Sequence, residues 1–291
     1  MEANNKSSSG KHTHSNRPFM YATGIVSRIP ESLTGKDRSG KAGEDAGGFN
    51  LELARRQHEK LILTLRKLKI DLSELDADEE RPLCCFLDHM AVVRDGVALI
   101  ARPGGRLEDE AQVDEIRRIL RDDLRQQIYE IKDPNATLDG GDVLFTGEEF
   151  FVGISARTNS QGANALARAF PNYNVSSIKV ADHLHLKSMM SMAAPGIIAV
   201  GSSPAARSAL QQILQKSDFD YCTLTLPDDE AANCVYVKGF LLHCTKQEYP
   251  NSYKIFEEKF PNDVRIPIPN SELHKVDGAL TCRSILVQKP L

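Results

Sequence analysis

A hairpin followed by a helix recurs along this chain about every fifty residues, a period that belongs to repeat arrays and propellers. Residues 85–93 are largely apolar, Arg94-Asp95-Gly96 reads as a turn, and residues 97–101 are apolar again, the pattern of a β-hairpin. The same succession returns at 141–153 around Thr146-Gly147, at 189–201 around Pro195-Gly196, and at 233–244 around Lys238-Gly239. A fifth unit opens at 281–287 and is expected to close on the N-terminal strand Ile25-Val26-Ser27. Helical spacing fills the intervals: 50–68, 109–129 with Val113, Ile116, Ile119, Leu120, Leu124 and Ile128, then 161–170, 204–216 and 251–260. One such unit cannot bury its own apolar face, so closure into a ring is expected. An ordinary mixed α/β sheet is the other arrangement these elements allow. Asp88, Asp139, His185, Asn233 and Cys282 each stand at or just before the first strand of a unit, so a ring would bring them to one mouth.

Composition limits the class of function. With 291 residues, 41% of them hydrophobic, the chain can bury a sizeable core without staples. A net charge of -4 gives no basic face for nucleic acid. No apolar run is long enough for a membrane span, and the start carries no apolar signal region. The six cysteines (84, 85, 222, 234, 244 and 282) form no Cys-x-x-Cys pair, against zinc-ribbon and thioredoxin readings. A cytoplasmic protein with reduced thiols is expected. Residues 1–17 are polar and aperiodic, including His12 and His14, and are expected to be a disordered tail. Residues 18–291 are expected to form one catalytic domain.

The chemistry-bearing fragments are Asn135-Ala-Thr-Leu-Asp-Gly-Gly-Asp-Val-Leu-Phe-Thr-Gly, Leu184-His-Leu-Lys-Ser and Val276-Asp-Gly-Ala-Leu-Thr-Cys. They offer a sulfur nucleophile in Cys282, a base in His185 and an acid in Asp139. A thiol needs an activating base or a positive field, because only a few per cent is thiolate at pH 7. An imidazole titrates where it can give a proton to a leaving group and later take one from water. A carboxylate can fix its tautomer. The blander readings are a buried core histidine for His185 and an Asx turn for Asp139. His183 is the competing base.

From Phe19 to the C-terminus the chain resembles the dimethylarginine dimethylaminohydrolases. These belong to the pentein superfamily, with arginine deiminase and the amidinotransferases. Besides the three fragments above, Ile29-Pro-Glu-Ser-Leu, Phe150-Phe-Val-Gly, Arg157-Thr-Asn, Leu226-Pro-Asp-Asp and Leu273-His-Lys-Val-Asp-Gly carry the likeness. The resemblance implies a five-fold pseudosymmetric α/β propeller of ββαβ units. It implies hydrolysis of Nω-methylated arginines to citrulline and a methylamine, with no cofactor and no metal. It implies Cys282 as nucleophile, His185 as acid and base and Asp139 as the acidic third member. It further implies Arg157 on the substrate carboxylate, and Val276 and Asp277 beside the substrate. The expected partner is a small methylated arginine, with neither nucleic acid nor membrane, and the expected assembly is a monomer or weak homodimer.

The chain departs from the family's pattern at the cationic end of the substrate. The family reads Leu-Pro-Asp-Cys-x-Phe-x-Glu-Asp, whereas this chain reads Arg81-Pro-Leu-Cys-Cys-Phe-Leu-Asp-His. Leu83 and His89 stand where acids are expected, and Asp88 replaces a glutamate. A second carboxylate-gripping arginine is sought in Arg102-Pro-Gly-Gly-Arg106-Leu-Glu108-Asp109, and a lid in the Gly-rich residues 36–43. Asp88 and His89 are therefore expected to line a remodelled guanidinium pocket. The alternative expectation is a relative with altered or lost dimethylarginine activity: a hydrolase of another guanidino substrate, or a non-catalytic binding protein.

Overall fold

The computed structural model describes residues 15–34, 48–104 and 110–288. Within them the chain makes five three-stranded sheets of one design. Two strands pair antiparallel through a tight turn, a helix follows, and the chain returns as a third strand parallel to the second. The second unit shows it: β3 (Ala91–Arg94) and β4 (Val97–Ile100) form the hairpin, α2 (Glu110–Arg118) crosses over, and β5 (Gln127–Glu130) pairs with β4. The third runs β6 (Val143–Phe145), β7 (Phe150–Ile154), α3 (Ser160–Ala169) and β8 (Val175–Lys179). The fourth runs β9 (Met190–Ala194), β10 (Ile197–Gly201), α4 (Pro204–Lys216) and β11 (Cys222–Leu226). The fifth runs β12 (Val235–Val237), β13 (Phe240–His243), α5 (Pro250–Lys259) and β14 (Arg265–Pro267). The first is assembled from both ends of the chain. β1 (Tyr21–Ser27) pairs antiparallel with β15 (Ile285–Gln288), and α1 (Leu51–Lys67) returns to β2 (Asp71–Leu75), parallel to β1.

Local chemistry sets these elements. Asp95-Gly96 and Lys238-Gly239 place both turn residues at positive φ, the two-residue geometry whose twist matches a hairpin. Asn50, Asn159 and Ser203 cap α1, α3 and α4, each side chain accepting an N–H from the first turn. The helix expected over 109–129 is shorter. Its α-helical part ends at Arg118, a π turn covers Ile119–Asp123, and Ile128 lies in β5. Ile128 still packs on the same core cluster as Ile116, Ile119 and Leu120, so a burial pattern in step with a helix came from two elements feeding one core.

The apolar residues close the ring. Each neighbouring pair of units shares a cluster. Ile25 and Ile285 of the first meet Ala98 and Ile116 of the second. Leu99 of the second meets Phe150 and Leu166 of the third. Phe151 and Ile178 of the third meet Met190 and Ile198 of the fourth. Ala199 and Leu226 of the fourth meet Leu241 and Phe256 of the fifth. Val237 and Leu242 of the fifth meet Leu61 and Leu65 of the first. This is the five-fold α/β propeller. Its inner strands surround a cavity of about 190 Å³ along the axis. Asn16 and Arg17, at the edge of the expected tail, already bond to the body: Tyr236 Oη donates to Asn16, and Gln288 Nε2 donates to the Arg17 carbonyl. The rest of the tail up to residue 14, the expected lid at 36–43, and Arg106, Glu108 and Asp109 lie outside the described residues. Among the described residues no helix is long and apolar enough to cross a membrane.

Candidate active site

The site is built from five short segments, each entering the first strand of its unit: Leu87-Asp88 before β3, Asp139–Asp142 before β6, His185–Lys187 before β9, Asn233 before β12 and Thr281-Cys282 before β15. Five-fold repetition thus converts distant sequence positions into neighbours, as the strand-entry pattern implies.

Asp139 is fully buried and is the hub. Its Oδ1 accepts the Gly141 N–H at 2.8 Å, closing a short 3₁₀ turn. Its Oδ2 accepts from Arg157 Nε at 2.6 Å, a charge-assisted bond in a water-poor setting, and lies 2.9 Å from His185 Nε2. Asp139 therefore makes the Asx turn with one oxygen and faces the His185 imidazole with the other. The carboxylate faces Nε2, and Nδ1 lies on the Gly141 side of the ring. Two glycines make room for this approach. A Cβ on Gly140 would lie 1.9 Å from the Asp88 carbonyl oxygen, and one on Gly141 would lie 2.8 Å from His185 Cγ and 2.9 Å from Nδ1.

Asp142 is the second buried carboxylate of this turn. It accepts the Leu186 N–H at 3.0 Å and the hydroxyls of Ser155 and Thr158 at 2.7 Å each, so it fixes the backbone that carries His185. Burial raises its pKa, opposed first by the His185 charge and then by the two hydroxyls.

Cys282 is 7% exposed, on the 3₁₀ turn Thr281–Arg283. Its carbonyl accepts the N–H of Leu87 at 2.7 Å and that of Asp88 at 3.4 Å. Asn233 joins this turn to the histidine segment. Its Nδ2 donates to the Lys187 carbonyl and to Thr281 Oγ1, both at 2.9 Å, and its Oδ1 accepts the Thr281 N–H at 3.0 Å. Sequence reasoning placed Asn233 at the mouth but gave it no task; an amide that can donate and accept at once was the available signal.

In the segment expected at the cationic end, Asp88 is buried and its carboxylate lies 3.1 Å from Lys187 Nζ, both lining the axial cavity. That ion pair was not foreseen, because nothing in Leu-Lys-Ser marks the lysine as inward-facing. His89 is buried, with its carbonyl accepting from Gly140 N. Leu83 packs against the apolar cluster that contains Cys282. Val276 is fully buried in that cluster, and Asp277, at φ 59°, lines a separate cavity of about 280 Å³ with Ser188, Asn233, Glu248 and Leu280. His183, the competing base, also borders this cavity, with its Nε2 3.0 Å from Asp229. Among the described residues no group of three or more His, Cys, Asp or Glu side chains is placed to hold a metal ion.

The arginine deiminase family model matches residues 106–194. The human protein named "Putative hydrolase DDAH2" is 38% identical over 265 residues, covering 88% of this chain and 91% of its own. The chain belongs to the dimethylarginine dimethylaminohydrolase family. A Pseudomonas aeruginosa family member named N(G),N(G)-dimethylarginine dimethylaminohydrolase is 26% identical over 273 residues, covering 90% and 98%. Solved structures share the family fold. A cysteine-to-serine mutant of the Pseudomonas aeruginosa enzyme, complexed with citrulline, superposes with a TM-score of 0.77 at 23% identity, over 92% of this chain and 100% of that one. The N-terminal domain of ArgZ, a cyanobacterial arginine dihydrolase bound to its substrate, gives 0.74 at 16% identity, over 92% and 99%.

Proposed function

We propose that this protein hydrolyses asymmetric dimethylarginine and monomethylarginine to citrulline and dimethylamine or methylamine. In this reading the Cys282 thiolate attacks the guanidinium carbon and forms a tetrahedral adduct. The carbon–nitrogen bond to the methylated nitrogen breaks, and His185 delivers the proton that the departing amine needs. A thiouronium ester remains on the sulfur. His185 then takes a proton from water, the resulting hydroxide adds to the same carbon, and the carbon–sulfur bond breaks to release citrulline. Asp139 orients the imidazole, Arg157 takes the substrate carboxylate, and Val276 and Asp277 border the substrate. The reaction would relieve inhibition of nitric oxide synthase in the cytoplasm, on a small-molecule partner and without cofactor.

The observation that carries this reading is the buried His185–Asp139 contact on a segment that Asn233 ties to the Cys282 turn. The test is citrulline release from asymmetric dimethylarginine. The parent protein is expected to form it and Cys282→Ser to form none; equal release from both would remove Cys282 from the chemistry.

A second reading rests on a separate observation. Asp88, the acid retained at the guanidinium end, is held by Lys187, and Leu83 is packed in an apolar cluster. A guanidinium leaving water needs an opposing charge, so a less cationic substrate, or binding without turnover, fits this pocket. Under this reading the parent forms no citrulline from dimethylarginine, and Leu83→Asp combined with His89→Asp raises turnover from that baseline.

A further inference from the structure

The residue after the nucleophile is the largest fully buried side chain of the described protein. Arg283 is 0% exposed. Its Nη1 donates to the Gln57 carbonyl of α1 at 3.3 Å, while Nε and Nη2 meet no hydrogen-bond acceptor among the described residues. A cation taken out of water is costly unless charge or hydrogen bonds replace the water. Here the replacement is one carbonyl. Glu248 acts on the guanidinium electrostatically, but its carboxylate is already engaged by Thr245 and Asn270. The other ionisable groups that act on it are the thiols of Cys85 and Cys282 and the imidazole of His58.

Both residues of the turn reach α1, the guanidinium through the Gln57 carbonyl and the nucleophile through the cluster around Ala54. Cys282 packs in the cluster that includes Ala54 of α1, and Gln57 lies one turn further along that helix. Cys85 belongs to the same cluster. Burial lowers the Arg283 pKa to about 10, which leaves it charged at pH 7. His58 bonds through Nε2 to the Ser27 carbonyl and is held neutral at pH 7, so it adds no second positive charge beside Arg283.

We propose that Arg283 is a positioning residue for catalysis, an internal cation whose field holds the Cys282 sulfur as thiolate. The assignment rests on Cys282 being the nucleophile of the proposed reaction. It assigns a purpose to an under-bonded buried charge that contributes little to stability by itself. In a water-poor interior a unit charge acts on a neighbouring thiol far more strongly than in solvent, and a positive field is one of the ordinary ways to activate a cysteine.

The test is the pH dependence of iodoacetamide alkylation at Cys282, located by peptide mass mapping so that Cys85 is scored separately. Parent, Arg283→Met, Arg283→Gln and Arg283→Lys are compared, with circular dichroism confirming the fold. Arg283→Gln keeps a donor for the Gln57 carbonyl and serves if Arg283→Met does not fold. The neutral variants are expected to shift the alkylation midpoint upward by about one pH unit and to react about tenfold more slowly at pH 7. Arg283→Lys is expected to keep the parent's midpoint. A folded neutral variant with the parent's profile, or a shift confined to Cys85, overturns the proposal. Citrulline release by the parent, measured in parallel, separates the two readings. Turnover with an arginine-independent titration removes this inference alone; an arginine-dependent titration without turnover removes the hydrolase reading and with it the catalytic role of Arg283, leaving only its field on the sulfur.

Discussion

The Gly141 side chain, a single hydrogen atom, lies against the His185 imidazole. A methyl group there would fall 2.8 Å from the imidazole that Asp139 orients, so the ring or the turn would have to move. Gly141→Ala is predicted to lower turnover roughly a hundredfold, the scale of a displacement of about 1 Å in a reacting group. Kinetics beside a thermal melt would check this; near-parent kinetics would show that the imidazole has slack. Asn233 makes a complementary prediction. Asn233→Ala strands the Thr281 N–H and the Lys187 carbonyl, which is expected to cost about 1–3 kcal/mol in chemical denaturation and to reduce activity further than that loss alone explains. At this scale the meeting of Asp139 with His185 was expected from the family resemblance of the motifs that carry them, since the residue types alone also fit an Asx turn and a core histidine. Partners made through space were not. The Asp88–Lys187 pair and the Asn233 bridge depend on which way side chains point once the ring has closed.

The hairpins were legible because their strands are short, mostly apolar and largely buried runs, and their turns carry glycine. The third strand of each unit was not read from the residues themselves. β5 and β11 leave most of their residues exposed, so no apolar run marks them. Ile128 shows the consequence: one partly buried residue in an exposed edge strand falls into step with the preceding helix, so the spacing predicts a longer helix than forms. The seam of the ring is the other element-scale feature. Ile25 of β1 faces Ile285 of β15 in register, with Ile25 fully buried, one of the pairs by which the two strands join the chain ends in the first sheet. Ile25→Ala is predicted to cost about 2–5 kcal/mol in chemical denaturation, since the cavity sits where the two chain ends meet and cannot collapse freely. A loss below about 1 kcal/mol would mean the seam is not a unit of stability.

Among the described residues, two buried histidines outside the site, His58 and His243, weaken the fold in acid. Burial, aided by the Arg283 charge, lowers His58 from 6.5 to about 4. Burial, aided by Arg265, lowers His243 from 6.5 to about 4, in a stack with Tyr253 and Phe256. The unfolded chain takes up these protons near pH 6.5 while the folded chain resists until about 4. Stability is therefore full above 6.5 and falls as the pH drops toward 4, by about 3 kcal/mol for each histidine at the lower end. His243→Phe is predicted to flatten that fall by about half of the two-histidine share in urea titrations between pH 4 and 7. An unchanged slope would show that His243 does not resist protonation.

Ring closure is what assembles the site, since no two of Asp139, His185 and Cys282 belong to the same unit. The most direct test of that convergence is to mix the protein with asymmetric dimethylarginine, quench in acid within a turnover and map the digest by mass spectrometry. The account predicts an amidino adduct on the Cys282 peptide, absent in Cys282→Ser and altered in yield when His185 is replaced by glycine. Steady citrulline formation with an adduct on another cysteine, or with an adduct yield indifferent to His185, would contradict it.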